Sequence, residues 1–118
     1  MLIAEDDPAV RRVCERILGR AGYAVESAAG GAEALETMDR GEQPYDLLLT
    51  DVVMTGMRGD DLAHRAVAMQ PGLNVLFMSG YSDDSPPDSL GPTGGATSFI
   101  RKPFDAGTLL ERIRVLLT

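Results

Sequence analysis

The chain has 118 residues, about one domain at the usual ~100–200 residues each. Its 44% apolar and 25% charged residues are those of an ordinary globular protein. Its 18 acids against 11 bases, a net charge of −7, argue against nucleic acid as a partner, because phosphate binding needs a basic footprint. No apolar stretch approaches the ~20 residues of a membrane span, and no leader pattern opens the chain. The one cysteine, Cys14, excludes an internal disulfide framework. These features point to a cytoplasmic setting without membrane insertion.

Strand and helix patterns alternate along the chain. Leu2–Ala4 reads as a short buried strand running into Glu5, Asp6 and Asp7. Asp7-Pro8 reads as an N-cap followed by proline at the first helical position. Val10, Val13, Cys14, Ile17, Leu18 and Ala21 recur at helical spacing, and Gly22 stops the helix. Residues 23–28 read as a second strand. Ala32, Leu35 and Met38 mark a second helix ending near Gly41. Leu47, Leu48 and Leu49 form an apolar run without alternation, as in a central parallel strand covered on both faces. That run ends at Asp51. A loop with Gly56 and Gly59 follows, then a helix over 60–69 with Leu62, Ala66 and Met69 inward.

Pro71-Gly72 is a turn, and 75–78 a fourth strand ending at Ser79-Gly80. Residues 82–95 hold three prolines and three glycines and lack helical periodicity, so any helix there is short or irregular and the segment mobile. Residues 98–101 form a fifth strand ending at Lys102-Pro103. Leu109, Leu110, Ile113, Leu116 and Leu117 make an amphipathic last helix.

Alternation of this kind implies an α/β fold, doubly wound about a five-stranded parallel sheet. Its ligand site should lie beyond the carboxyl ends of the strands. Glu5, Asp6, Asp7, Asp51, Ser79 and Lys102 all fall there. Converging carboxylates repel by ~4 kcal/mol per pair at 4 Å and an effective dielectric of 20, so the cluster calls for a cation. Magnesium, a hard ion with oxygen ligands, suits it. A carboxylate such as Asp51 can also attack phosphorus. The resulting phosphoryl group would need an ammonium and a hydroxyl donor, which Lys102 and Ser79 supply.

Four segments, IAEDDP, LLLTDVVMTGMRG, FMSGYS and FIRKPF, stand in order at these strand ends. Together they resemble the receiver domain of two-component response regulators over essentially all of 1–118. The likeness is to chemotaxis-regulator-like receivers, and locally to those attached to hybrid histidine kinases. The resemblance implies a flavodoxin-like sheet of order 2-1-3-4-5. It implies Asp51 as phosphoacceptor, Ser79 as switch hydroxyl and Lys102 as the phosphate-contacting lysine. Magnesium would be held by Asp6 directly, by Glu5 through water, by Asp51 and by the Val53 carbonyl. Phe99 matches the aromatic switch position, and Lys102-Pro103 the family's cis peptide.

As partners it implies a histidine kinase or phosphotransfer protein, and an output protein or neighbouring domain. Such a domain is a signalling switch rather than an enzyme acting on outside substrates. An aspartyl-phosphate phosphatase would carry a second acid two residues after the nucleophile, where this chain has Val53.

Two departures stand out. Thr55 replaces the proline of the usual Met-Pro-x-Met loop, which is expected to loosen the loop without loss of chemistry. The 82–95 segment lacks the apolar spacing of the family's fourth helix, which implies an altered output face. That second departure favours the alternative, a phosphorylation-independent interaction module on the same fold. Among the remaining residues, Cys14 reads as core, Met54 and Met57 as loop packing, His64 as a solvated helix residue, and the GPTGG run near Gly91 as a plain loop.

Overall fold

A computed structural model describes residues 1–41, 43–80 and 94–118. The first apolar triplet forms strand β1 (Leu2–Ala4) with no exposed residue. Asp7 then caps helix α1 (Pro8–Arg20): its carboxylate accepts the Ala9 N–H at 2.9 Å, and Pro8 starts the helix, where a missing N–H costs nothing. Gly22, at φ 94°, takes the left-handed turn that ends it.

The chain continues through β2 (Glu26–Ala28), α2 (Gly31–Arg40), β3 (Leu47–Asp51), α3 (Gly59–Met69), β4 (Asn74–Ser79), β5 (Thr97–Arg101) and α4 (Ala106–Leu117). All strand pairs are parallel, and the order is β2-β1-β3-β4-β5, as expected. The 82–93 part of the segment read as a short or irregular fourth helix lies outside the described residues. So does most of the GPTGG run.

Two cores flank the sheet, and the strand period of two sorts residues between them. Leu2, Ala4, Leu48, Val75 and Phe77 face one core with α2 and α3. Ile3, Leu47, Leu49, Leu76 and Met78 face the other with α1 and α4. The central strand is buried throughout, which is why its apolar run shows no alternation. Cys14 lies at 0% exposure in the second core, its Sγ 3.9 Å from Met78 Sδ. Met54 and Met57 pack on the first core, and His64 is solvated.

Four sequence expectations are corrected. The second strand spans only Glu26–Ala28, because Tyr23 N donates back to Leu18 O and so finishes α1 instead of pairing in the sheet. Val13 is 49% exposed; it lies about 100° around the helix from Cys14 and misses the buried stripe. Ala32 is exposed and Ala34 takes its place in the core. Met69 is 45% exposed. It stands at the end of α3, where Gln70 turns in to exchange hydrogen bonds with the Tyr45 backbone.

Candidate functional site

Each strand of the central trio delivers a polar group at its carboxyl end. Glu5 follows β1 with no exposed surface, and its backbone is held by Glu5 N→Ala28 O at 3.1 Å. The Glu5 carbonyl also accepts from Arg11 Nη1 at 2.9 Å. Asp51 closes β3 at 7% exposure and Ser79 closes β4 at 4%. The ladder that sets them side by side pairs Asp51 with Met78 and runs on through Val52 N→Met78 O at 3.0 Å. Lys102 N donates to Ser79 O at 2.7 Å, extending the β4–β5 pairing past β5. The Lys102-Pro103 peptide is cis.

Lys102 joins the two buried acids. Its Nζ donates to Glu5 Oε1 at 2.7 Å and to Asp51 Oδ2 at 2.7 Å. Asp6 completes the cluster, and one carboxylate oxygen from each of Glu5, Asp6 and Asp51 lies within 4.8 Å of the others. With all three ionised, three negative charges against one ammonium leave a formal −2.

Burial raises the Glu5 carboxyl to about 7, with nearby Asp51 adding to the rise and Lys102 opposing it. Asp6 is held below its ordinary value, chiefly by the Thr55 backbone N–H. Lys102 is raised because its contacts to Asp51 and Glu5 outweigh its own burial. Glu5 Oε2 is buried and has no hydrogen-bond partner among the described residues. A bare buried carboxylate oxygen is costly, and a proton or a cation would relieve it. That orphan oxygen, the all-oxygen donor set and the net negative charge fit magnesium, which favours carboxylate and carbonyl oxygen.

Val53 sits in the loop after Asp51 with its side chain 46% exposed. Thr55, in the same loop, donates its N–H to Asp6 Oδ2 at 2.8 Å. The expected loosening is therefore countered by a tie to the β1 end. Phe99 lies on β5, paired with Phe77 and 47% exposed, outside the carboxylate cluster. Asp7 is taken up by its capping bond.

The sequence marks Gly59 only as a loop residue, yet it is structural. A Cβ there would stand 1.8 Å from Asp51 O, and Gly59 N donates to Val52 O at 2.8 Å. Only glycine lets α3 start against the backbone of the Asp51 strand end. The cue in the sequence was its place eight residues after Asp51 at the head of an apolar-periodic helix, which alone does not reveal a close approach.

The chain's likeness to known proteins agrees with this geometry. The family described as "Response regulator receiver domain" matches residues 1–114. The response regulator receiver protein CpdR of Brucella abortus (strain 2308) is 38% identical over 118 residues, covering 99% of this chain and 95% of that protein. The solved receiver domain of the hybrid histidine kinase CckA is 36% identical, with a TM-score of 0.82 over 99% of this chain and 97% of that one. The chemotaxis protein CheY4 of Vibrio cholerae is 28% identical, with a TM-score of 0.84 over 98% of this chain and 96% of its own. No helix among the described residues is long and apolar enough to cross a membrane. The chain thus belongs to the response regulator receiver domains of two-component systems.

Proposed function

We propose that residues 1–118 form a phosphorylation-dependent signalling switch whose phosphoacceptor is Asp51. The observation that carries this reading is the Lys102 ammonium held 2.7 Å from both Glu5 and Asp51 beside Asp6. That arrangement offers a nucleophilic carboxylate with a charge-neutralising ammonium already beside it.

The donor is a phosphohistidine on a histidine kinase or phosphotransfer protein. An Asp51 carboxylate oxygen attacks phosphorus, the P–N bond breaks, and its electron pair leaves on the imidazole. Lys102 exchanges its Asp51 contact for an oxygen of the new phosphoryl group, and the Ser79 hydroxyl donates to another. Glu5, Asp6, Asp51 and the Val53 carbonyl would hold magnesium, which when bound neutralises charge on the phosphoryl oxygens. Movement of Ser79 and repacking of Phe99 then shift a pre-existing equilibrium between two conformations. An output protein or neighbouring domain reads that shift. A cytoplasmic setting fits a donor of this kind, and the domain is a switch rather than an enzyme acting on outside substrates.

Lys102→Ala tests the assignment. The variant should still bind magnesium but lose the spectral changes around Ser79 and Phe99 that beryllofluoride, a phosphoryl mimic, induces in the parent. Equal responses in parent and variant by two-dimensional NMR would remove Lys102 from the switch.

A further inference from the structure

The three pocket carboxylates meet hydrogen-bond donors of two different kinds. Lys102 Nζ spans Glu5 and Asp51. Asp6 takes no bond from it among the described residues; its Oδ2 accepts instead from the Thr55 backbone N–H at 2.8 Å, across 49 residues of sequence. An N–H aimed at a carboxylate makes a charge-assisted bond, roughly twice as strong as a neutral one. It draws on the same negative charge that a divalent cation would use. The bond also fastens the loop carrying Val53 and Thr55 to the end of β1. Thr55 lies outside every helix and strand, so no ladder needs its N–H, and the donor is free to serve Asp6 alone. An ion entering the cluster must either displace this N–H or bind an Asp6 whose charge is already partly neutralised.

We propose that the Thr55 N–H is a latch on Asp6 that competes with the divalent cation, so that residue 55 sets the ion affinity of the pocket. The inference rests on the reading of the pocket as a magnesium-binding phosphoacceptor site. Thr55 acts through Asp6 and is a positioning residue. Because the donor belongs to the backbone, proline is the natural residue that abolishes it. Alanine keeps the N–H and removes only the hydroxyl.

The test is a magnesium titration of the full chain as parent, Thr55→Ala and Thr55→Pro, read by calorimetry and by two-dimensional NMR. Thr55→Pro should bind magnesium about three- to tenfold more tightly, a part of the full strength of a hydrogen bond to a charged group because this one is solvent-exposed. Thr55→Ala, which keeps the N–H and loses only the weaker hydroxyl contact to Asp6, should tighten binding less than Thr55→Pro does. In the parent, the Thr55 amide resonance, shifted downfield by its carboxylate acceptor, should move upfield as magnesium saturates.

Equal or weaker affinity in a folded Thr55→Pro overturns the latch. So does tightening by Thr55→Ala as large as that by Thr55→Pro, which would assign the effect to the hydroxyl. If Thr55→Pro does not fold, the parent's amide decides: a Thr55 resonance unmoved at saturation overturns the proposal. Binding with equal affinities defeats the latch and leaves the metal reading intact. No magnesium binding by any of the three chains defeats both.

Discussion

Glu5 is a carboxylate held where its charge is costly. It has no exposed surface, one oxygen on Lys102 and the other without a partner among the described residues. Burial moves it from 4.5 to about 7, so the folded state binds its proton more tightly than the unfolded chain does. Its stabilising contribution is therefore full below pH 4.5 and lost as pH rises through about 7. Across that window the metal-free protein should lose stability on the order of 3 kcal/mol from this group. Glu5→Gln keeps the shape without the charge, so the variant should lack this fall and be the more stable protein above pH 7. Urea denaturation at pH 5 and 7.5 checks this, and identical pH slopes in parent and variant would refute it.

At this scale the candidate residues were legible because each ends an apolar run, and parallel strands carry such ends to one edge. Their pairing was not legible. Nothing in the letters says that Lys102 bridges Glu5 and Asp51 across 97 and 51 residues. The Thr55 contact was still less visible, because its donor is a backbone N–H that every residue except proline carries.

The elements depend on one close approach more than on any propensity. Helix α3 starts with Gly59 against the backbone of Asp51 and Val52. A methyl group 1.8 Å from Asp51 O cannot be absorbed by a rotamer change, because the obstacle is main chain. Gly59→Ala should therefore cost at least ~2 kcal/mol, in the range of backbone-displacing overpacking, and should disturb the Asp51 resonances. Thermal unfolding with NMR checks both, and a melting temperature within about 1 °C of the parent would contradict the account.

Helix and strand types could be read from period and caps, as Asp7-Pro8 and Gly22 show. Which side of a stripe is buried was harder. Val13 and Ala32 each sit one position off a buried residue, and periodicity alone does not fix the last ~100° of a helix's rotation; Met69 is exposed because it stands at the end of α3. The start of β2 was misread because Tyr23 and Val25 look strand-like while the Tyr23 N–H is already used by α1.

Over the whole molecule, a sheet with a core on each face turns five strand ends into one chemical edge. The doubly wound architecture was legible because apolar runs alternate with helical stripes everywhere except across 82–95. The strand order came from likeness to a family rather than from pattern, since periodicity does not say which strands are neighbours. Placing the acids together is a property of the entire fold: β1 pairs with β3 and β3 with β4, and removing any of those pairings would scatter the cluster. On the function proposed above, this edge makes Asp51 a phosphoacceptor. The most direct test of that role is the intact mass of the full chain after incubation with acetyl phosphate, with and without magnesium, beside Asp51→Asn. The parent should carry a single magnesium-dependent phosphoryl adduct that the variant lacks. An adduct of unchanged stoichiometry in Asp51→Asn, or a folded parent that takes up no phosphoryl group with magnesium present, would contradict that role.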